Sequence, residues 1–204
     1  MFLPWKQPLT DESEGDAMCA GKTFRSAALG LVLGLLAAFS FAPRCYAASG
    51  PEIDASVGAT LNQFFHEVWS SRELANRAAA ILVFPTVVKA GFGIGGEYGE
   101  GALHIRGKTA AYFNIISGSI GFQFGAQARS VIIMFMTEEA LAQFQRTQGW
   151  KVGVDGSVAI IAVGAGGAID TNSIRSPIIG FIFDQKGLMY NLTLEGSKIT
   201  QIYR

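Results

Sequence analysis

The chain has few cysteines, few histidines and no excess of charge of either sign. Among its 204 residues are 2 Cys and 2 His, and 16 Lys+Arg balance 16 Asp+Glu. Two cysteines cannot form a disulfide scaffold, and a structural zinc site would need histidines beside them. Without a basic excess, the chain does not fit a dedicated nucleic-acid-binding protein. Half of the residues are hydrophobic, so the composition predicts a packed core instead of a disordered chain.

Long hydrophobic runs are also scarce, and the main one lies near the N-terminus. Residues 27–42 read AALGLVLGLLAAFSFA, follow Lys22 and Arg25, and precede the sequence CYAA at 45–48. This run is shorter than the ~20 residues that span a bilayer, and a plausible cleavage site follows it. We therefore predict a signal peptide in residues 1–47, with a retained membrane anchor as the alternative.

The first 17 residues are acidic, which is unusual for a signal peptide, and Met18 would begin a more ordinary one. A true start at Met18 is therefore a second hypothesis. Cleavage after Ala47 would remove both cysteines and leave one domain, residues 48–204. The predicted location is outside the cytoplasm: periplasmic or associated with the cell envelope, and possibly secreted.

The rest of the chain predicts helices first and strands afterwards. Apolar residues recur at helical spacing from Glu52 to about Ala80, with Ser71 as the cap of a second helix and Pro85 as the end of the region. Short alternating strands follow, interrupted by a helix that Thr137 caps. Tight turns are predicted at 106–109 and 184–187, and the second leads into a strand over 188–194. The predicted fold class is α+β, with N-terminal helices packed on a strongly curved or barrel-like antiparallel β-sheet.

Catalytic and metal-binding constellations are missing from the predicted domain. Its histidines, His66 and His104, fall in a helix and a strand, and no cysteine remains to pair with them. Glu97 and Glu100 lie three residues apart on one predicted strand, so they should face opposite sides of the sheet. We predict a protein that is not an enzyme, with no cofactor and no metal.

Glycine, by contrast, is abundant, with 25 residues in the chain. The segment GFGIGG at 91–96 fits the letters of a dinucleotide-binding motif, but an alternating strand pattern follows it where that motif requires a helix. The glycines should instead relieve crowding in a bent strand or let another group pack closely. The members of this glycine-rich strand motif are Gly91, Gly93, Gly95, Gly96, Gly99 and Gly101.

Several cations near strand ends or turns are candidates for contact with anionic lipid headgroups. Each cation near an anionic membrane adds about 1 kcal/mol, so inserted apolar side chains would have to supply the remaining affinity. The predicted headgroup-binding residues are Lys89, Arg106, Lys108, Arg129 and Lys198.

Taken in order, these segments resemble the SYLF domain family. The resemblance is carried by ILVFP at 81–85, VKAGFGIGGEYGEG at 88–101, SIGFQFGAQ at 119–127, VIIMF at 131–135, the strand region 150–162, and GLMYNLTLEGSKI at 187–199. It implies a non-enzymatic module that binds anionic phospholipid or another envelope lipid, as eukaryotic relatives bind phosphoinositides and some fungal ones actin filaments. Lys89 lies inside a matched segment, and Arg129 and Lys198 lie at or beside others.

Two features limit what the resemblance implies. The first predicted helix is acidic, whereas the eukaryotic proteins use a basic amphipathic segment to reach membranes. Actin and phosphoinositides are also absent from an ordinary bacterial periplasm, so an anionic lipid or membrane surface is the expected partner, with no nucleic acid and with any protein partner unknown. The alternative is a small integral outer-membrane β-barrel or a structural envelope protein, disfavoured by the leading helices and the short predicted strands.

Overall fold

Three helices and six strands make up the part of the chain that the structure, a computed structural model, describes: residues 47–163, 175–187 and 194–204. The described residues from Ala48 onward belong to one compact unit, Ala48–Arg204, the second of two into which the chain divides. The predicted signal peptide therefore lies outside the described residues, apart from Ala47. The elements of the second unit are α1 (Gly50–Glu67), α2 (Ser71–Arg77), β1 (Ala80–Ile105), β2 (Lys108–Phe135), α3 (Glu138–Arg146), β3 (Trp150–Lys151), β4 (Ala159–Ala162), β5 (Ile178–Gly187) and β6 (Lys198–Ile202).

Helix α1 begins with a capping box and buries the apolar face that its sequence predicts. The backbone N–H of Ser49 donates to the carboxylate of Glu52 at 2.7 Å, which lowers the pKa of Glu52 from its ordinary value. Ile53, Val57 and Phe64, one helical turn or two apart, are buried.

The other two helices begin differently. In α3, the Thr137 hydroxyl accepts a hydrogen bond from the backbone of Ala140, as predicted for a capping threonine. The predicted cap of α2 is wrong by one position, because Ser70 precedes the helix. Ser71 is the first helical residue, and its hydroxyl donates to the carbonyl of Val68 at 2.6 Å.

Strands β1 and β2 form one long antiparallel hairpin where shorter strands were predicted. They contain 26 and 28 residues and join through a turn at Arg106 and Gly107, both with positive φ. Pro85 does not end a helical region. It lies within β1, in an irregularity of the pairing between Phe84 and Val87, and its carbonyl accepts a hydrogen bond from the Ser130 hydroxyl at 2.7 Å.

Strand β2 is the centre of the sheet. It pairs with β1 along its length, with β6 through its first half and with β5 through its second half. The sheet order is β3-β6-β2-β5-β4, with β1 also on β2. The sheet is not purely antiparallel as predicted, since β4 and β5 run parallel. The α+β class with a strongly curved sheet is confirmed, and the sheet curls into a half-barrel.

Two predictions near β5 have different outcomes. The segment 184–187, predicted as a turn, continues β5, and Asp184 takes a positive φ at the irregular pairing there. The strand predicted over 188–194 lies outside the described residues except for Leu194.

The curl of the sheet folds the β1–β2 hairpin at its middle, so that its two ends face each other. Their inner faces form one apolar core, which includes Leu82, Phe84 and Val131 from one end and Leu103 and Ile115 from the other. On the outer face, α1 packs against a second apolar cluster that includes Val83, Ala102, Ile132 and Phe181. Further along the outer face, Ile94, Tyr98 and Ile116 are exposed.

Candidate functional site

The five predicted headgroup-binding cations fall in three separate places. Arg106 and Lys108 flank the β1–β2 turn and are exposed. Lys198, also exposed, begins β6 and pairs in register with Ile116. Eight residues of extended β2 separate Lys108 from Ile116, which corresponds to about 26 Å along the strand. The turn cations and Lys198 therefore do not form one cluster.

Lys89 and Arg129 point to the inner face and are buried. Lys89 lies opposite Gln127, and Arg129 lies opposite the core residue Val87. The Arg129 guanidinium donates to the Glu97 carboxylate at 2.6 Å, and the Ser117 hydroxyl donates to the same carboxylate at 3.2 Å. We call this group, at the fold of the hairpin, the interior polar cluster; its members are Lys89, Glu97, Ser117, Gln127 and Arg129.

Glu97 and Glu100 lie on opposite faces of β1, as their spacing predicts. Glu97 is inside, in the interior polar cluster, whereas Glu100 is on the outer face. The Glu100 carboxylate accepts a hydrogen bond from the Tyr98 hydroxyl at 2.6 Å and pairs with Arg204. An arginine therefore accompanies each carboxylate.

Large apolar side chains are exposed on the outer face of the same region. Ile94 is 75% exposed, Tyr98 48% and Ile116 47%. Ile116 lies between two partners in the sheet, Tyr98 on β1 and Lys198 on β6, and Lys198 in turn lies opposite Lys151 on β3. Directly paired residues share a face, so Tyr98, Ile116, Lys198 and Lys151 form one continuous strip. Ile94, four residues before Tyr98 on β1, lies on the same face by alternation.

We call this strip the bend surface: Ile94, Tyr98, Ile116, Lys198 and Lys151. It is apolar on the hairpin and cationic on β6 and β3. Of its members, only Lys198 was a predicted site residue. For Ile94 and Tyr98 the signal was the period-two alternation of 94–98, which predicts that the two residues share a face but not that the face is uncovered.

At Gly99 and Gly101, the glycine-rich strand motif allows the hairpin to fold back closely on itself. A Cβ at Gly101 would collide with the carbonyl oxygen of Val83, and one at Gly99 would lie 2.9 Å from that of Thr86. Two parts of β1 that are about 15 residues apart thus touch through their backbones. Gly96 differs, since a Cβ there would meet nothing nearer than 4.0 Å.

The C-terminal part of this architecture matches a known family. Residues 116–203 match the model described as Ysc84, Las17-binding protein actin regulator. These residues belong to the SYLF family. No curated protein matches the chain. The SYLF match begins in the first half of β2 and continues into the last residues, so it contains Ile116, Arg129, Lys151 and Lys198, whereas Lys89 and the glycine motif of β1 precede it.

Outside the matched segment, α1 is fixed to the hairpin by the carboxylate of Asp54. One oxygen accepts from the Thr109 hydroxyl and the other from the Tyr112 hydroxyl, both at 2.9 Å. The bond to Asp54 raises the pKa of Tyr112. The His104 ring lies 3.2 Å from Thr109 Oγ1, and burial lowers the pKa of His104, opposed by the charge of Asp54. The network holds the acidic helix on the sheet.

The described residues offer neither a cluster of metal ligands nor a helix that could span a membrane. Within residues 47–163, 175–187 and 194–204, no group of three or more His, Cys, Asp and Glu side chains could hold a metal ion. No helix in the same ranges is both long and apolar enough to cross a bilayer.

Proposed function

We propose that this protein binds the surface of anionic lipid membranes through its bend surface. The SYLF family is a family of binding modules, and lipid or actin-related binding is the function that it suggests at the family level. The observation that carries the proposal is the continuous strip in which exposed Tyr98 and Ile116 lead directly to Lys198 and Lys151.

The strip combines the two contributions that binding to a lipid surface requires. Lys198 and Lys151 would contribute about 1 kcal/mol each at an anionic surface, which is too little alone for stable binding. Ile94 and Ile116 would bury apolar area among the acyl chains, and a tyrosine suits the boundary between headgroups and hydrocarbon. The nearby Glu100 is paired with Arg204, which reduces its repulsion of anionic lipid.

The other four predicted headgroup-binding cations do not belong to the bend surface. Arg106 and Lys108 were predicted headgroup contacts, but they lie about 26 Å from the strip along β2, so binding at the bend surface does not require them. Lys89 and Arg129 are buried, so they do not take part in binding at the outer surface. If the predicted signal peptide acts, the lipid would be that of the cell envelope, and the protein would be periplasmic, envelope-associated or secreted.

Co-sedimentation with vesicles tests the proposal. The protein purified from cells expressing the full chain should pellet with vesicles of phosphatidylcholine and phosphatidylglycerol, and less with phosphatidylcholine alone. Lys151→Glu with Lys198→Glu should weaken binding by roughly 10- to 100-fold. Arg106→Glu with Lys108→Glu changes the net charge equally at the turn and should weaken it much less.

A second pair of variants tests the apolar part. Ile94→Ser with Ile116→Ser should reduce pelleting, whereas Val154→Ser, which removes an apolar side chain that is 74% exposed in another loop, should not. Equal loss with the two charge variants would contradict the assignment to the bend surface. If the wild type pellets with neither vesicle, lipid binding is wrong. The strip would then fit a protein interface, in line with the partner protein that the family description names.

A further inference from the structure

The interior polar cluster contains hydrogen-bonding groups that the fold itself does not satisfy. Gln127 is 2% exposed, and neither its amide nitrogen nor its amide oxygen has a hydrogen-bond partner in the described part of the chain. Native proteins satisfy nearly all such buried atoms, because an unpaired one loses its bonds to water without replacement. Both ends of this amide therefore remain available for a ligand.

The charges around Gln127 are also unbalanced. Its partner in register, Lys89, is 7% exposed, and Arg129 is two residues along β2. Glu97 is the one buried carboxylate among the described residues on this inner face, and Arg129 pairs with it. The cluster thus carries one positive charge more than it carries negative charge, and burying a net charge is costly unless a counter-charge joins it.

A third feature lies on the neighbouring strand. Gln185 on β5 has a buried side-chain oxygen without a hydrogen-bond partner in the residues described. It falls where the β2–β5 pairing is irregular, between the pairs Ala128–Lys186 and Ser130–Phe183. Unsatisfied acceptors and an unsatisfied donor are therefore present on adjacent strands at the same level of the sheet.

We propose that the interior polar cluster is a binding site for a phosphate group. The phosphate oxygens would accept from the Lys89 ammonium and from the Gln127 amide nitrogen. The Gln127 oxygen needs a donor, which a monohydrogen phosphate, or a hydroxyl beside a phosphate ester, supplies. A bare halide would leave that oxygen unsatisfied. The proposed phosphate site is inside the half-barrel and does not depend on the bend surface. This proposal can therefore be correct whether or not the protein binds vesicles.

Thermal unfolding without membranes tests the site, using the protein purified from cells expressing the full chain. Inorganic phosphate should raise the Tm above its value in chloride of equal ionic strength, by roughly 5 °C or more at about 100-fold above Kd. Dispersed short-chain phosphatidylglycerol is the second probe. A rise with inorganic phosphate identifies a free phosphate site, and a rise with the lipid alone identifies a headgroup site.

Two substitutions of Gln127 link the rise to the cluster. Gln127→Leu removes the unsatisfied atoms, and Gln127→Glu supplies a carboxylate that pairs with Lys89 and repels the ligand. Both should abolish the rise, and the second keeps the test valid if the first does not fold. Lys108→Met, at the exposed turn, should show the same rise in Tm as the wild type. The proposal is wrong if neither probe raises the Tm of the wild type, or if Gln127→Glu responds as the wild type does.

Discussion

The inner faces of β1 and β2 are apolar at the two ends of the hairpin and polar at its middle. Leu82, Phe84 and Val131 fill the core at one end, and a few residues further Lys89 and Arg129 occupy the same face of the same strands. The backbone pairing continues through both regions. Alternation along a strand therefore determines which face a residue joins, while the curl of the sheet determines whether that face becomes an apolar core or a polar interior.

The largest loss of stability should come from breaking the ion pair between Glu97 and Arg129 in the polar middle of the hairpin. Glu97→Leu leaves Arg129 buried without its carboxylate, which should lower the free energy of unfolding by about 3–5 kcal/mol. The double variant with Arg129→Met makes this region resemble the apolar ends and should recover most of the loss. Urea denaturation measures both. A single variant as stable as the double would show that the two regions do not differ as we describe.

A smaller loss should follow from a methyl group at the contact between the two parts of β1. Gly101→Ala places a Cβ against the Val83 carbonyl, and overpacking of this kind costs typically 1–3 kcal/mol. Gly96→Ala is the matched control on the same strand, where the added Cβ meets nothing nearer than 4.0 Å. Thermal unfolding compares them, and equal stability of the two variants would contradict the close approach.

The smallest predicted effect on stability is a dependence on pH. It arises on the outer face of the sheet, where Asp54 holds α1 near the β1–β2 turn. Burial lowers the pKa of His104, so the folded protein disfavours the proton that the unfolded chain accepts below its ordinary value of 6.5. His104 therefore reduces stability as the pH falls through 6.5 toward the lowered pKa. His104→Gln should flatten this decline in urea titrations. If stability declines equally with falling pH in His104→Gln and in the wild type, His104 is not the cause of the decline.

Local chemistry predicts the elements that depend on nearby residues. The cap at Thr137, the apolar face of α1 and the turn at Arg106 and Gly107 follow from short-range patterns, and the structure confirms all three. The continuity of β1 through Pro85 does not follow from such patterns. The proline occupies an irregularity in the pairing, and only the partner strand reveals that the chain continues past it.

The candidate site was less predictable for the same reason. Lys89 and Arg129 look like surface cations in the sequence, yet both are buried because the hairpin folds toward their side. Charge reversal at these two positions would place acids beside Glu97 and would test folding more than binding. Tyr98 and Ile116 look like core residues, but α1 is too far along the sheet to cover them. Long-range curvature decides both outcomes.

The central position of β2 also determines which fragments of this chain can fold. The segment that matches the SYLF family begins at Ile116, inside β2. A fragment cut there would keep β5 beside 127–135 but lose β1 from the other side, so a row of apolar residues would become a bare edge. Such edges pair with other chains, and we expect this fragment to aggregate. The boundary of sequence similarity is thus not a boundary for autonomous folding, which requires β1.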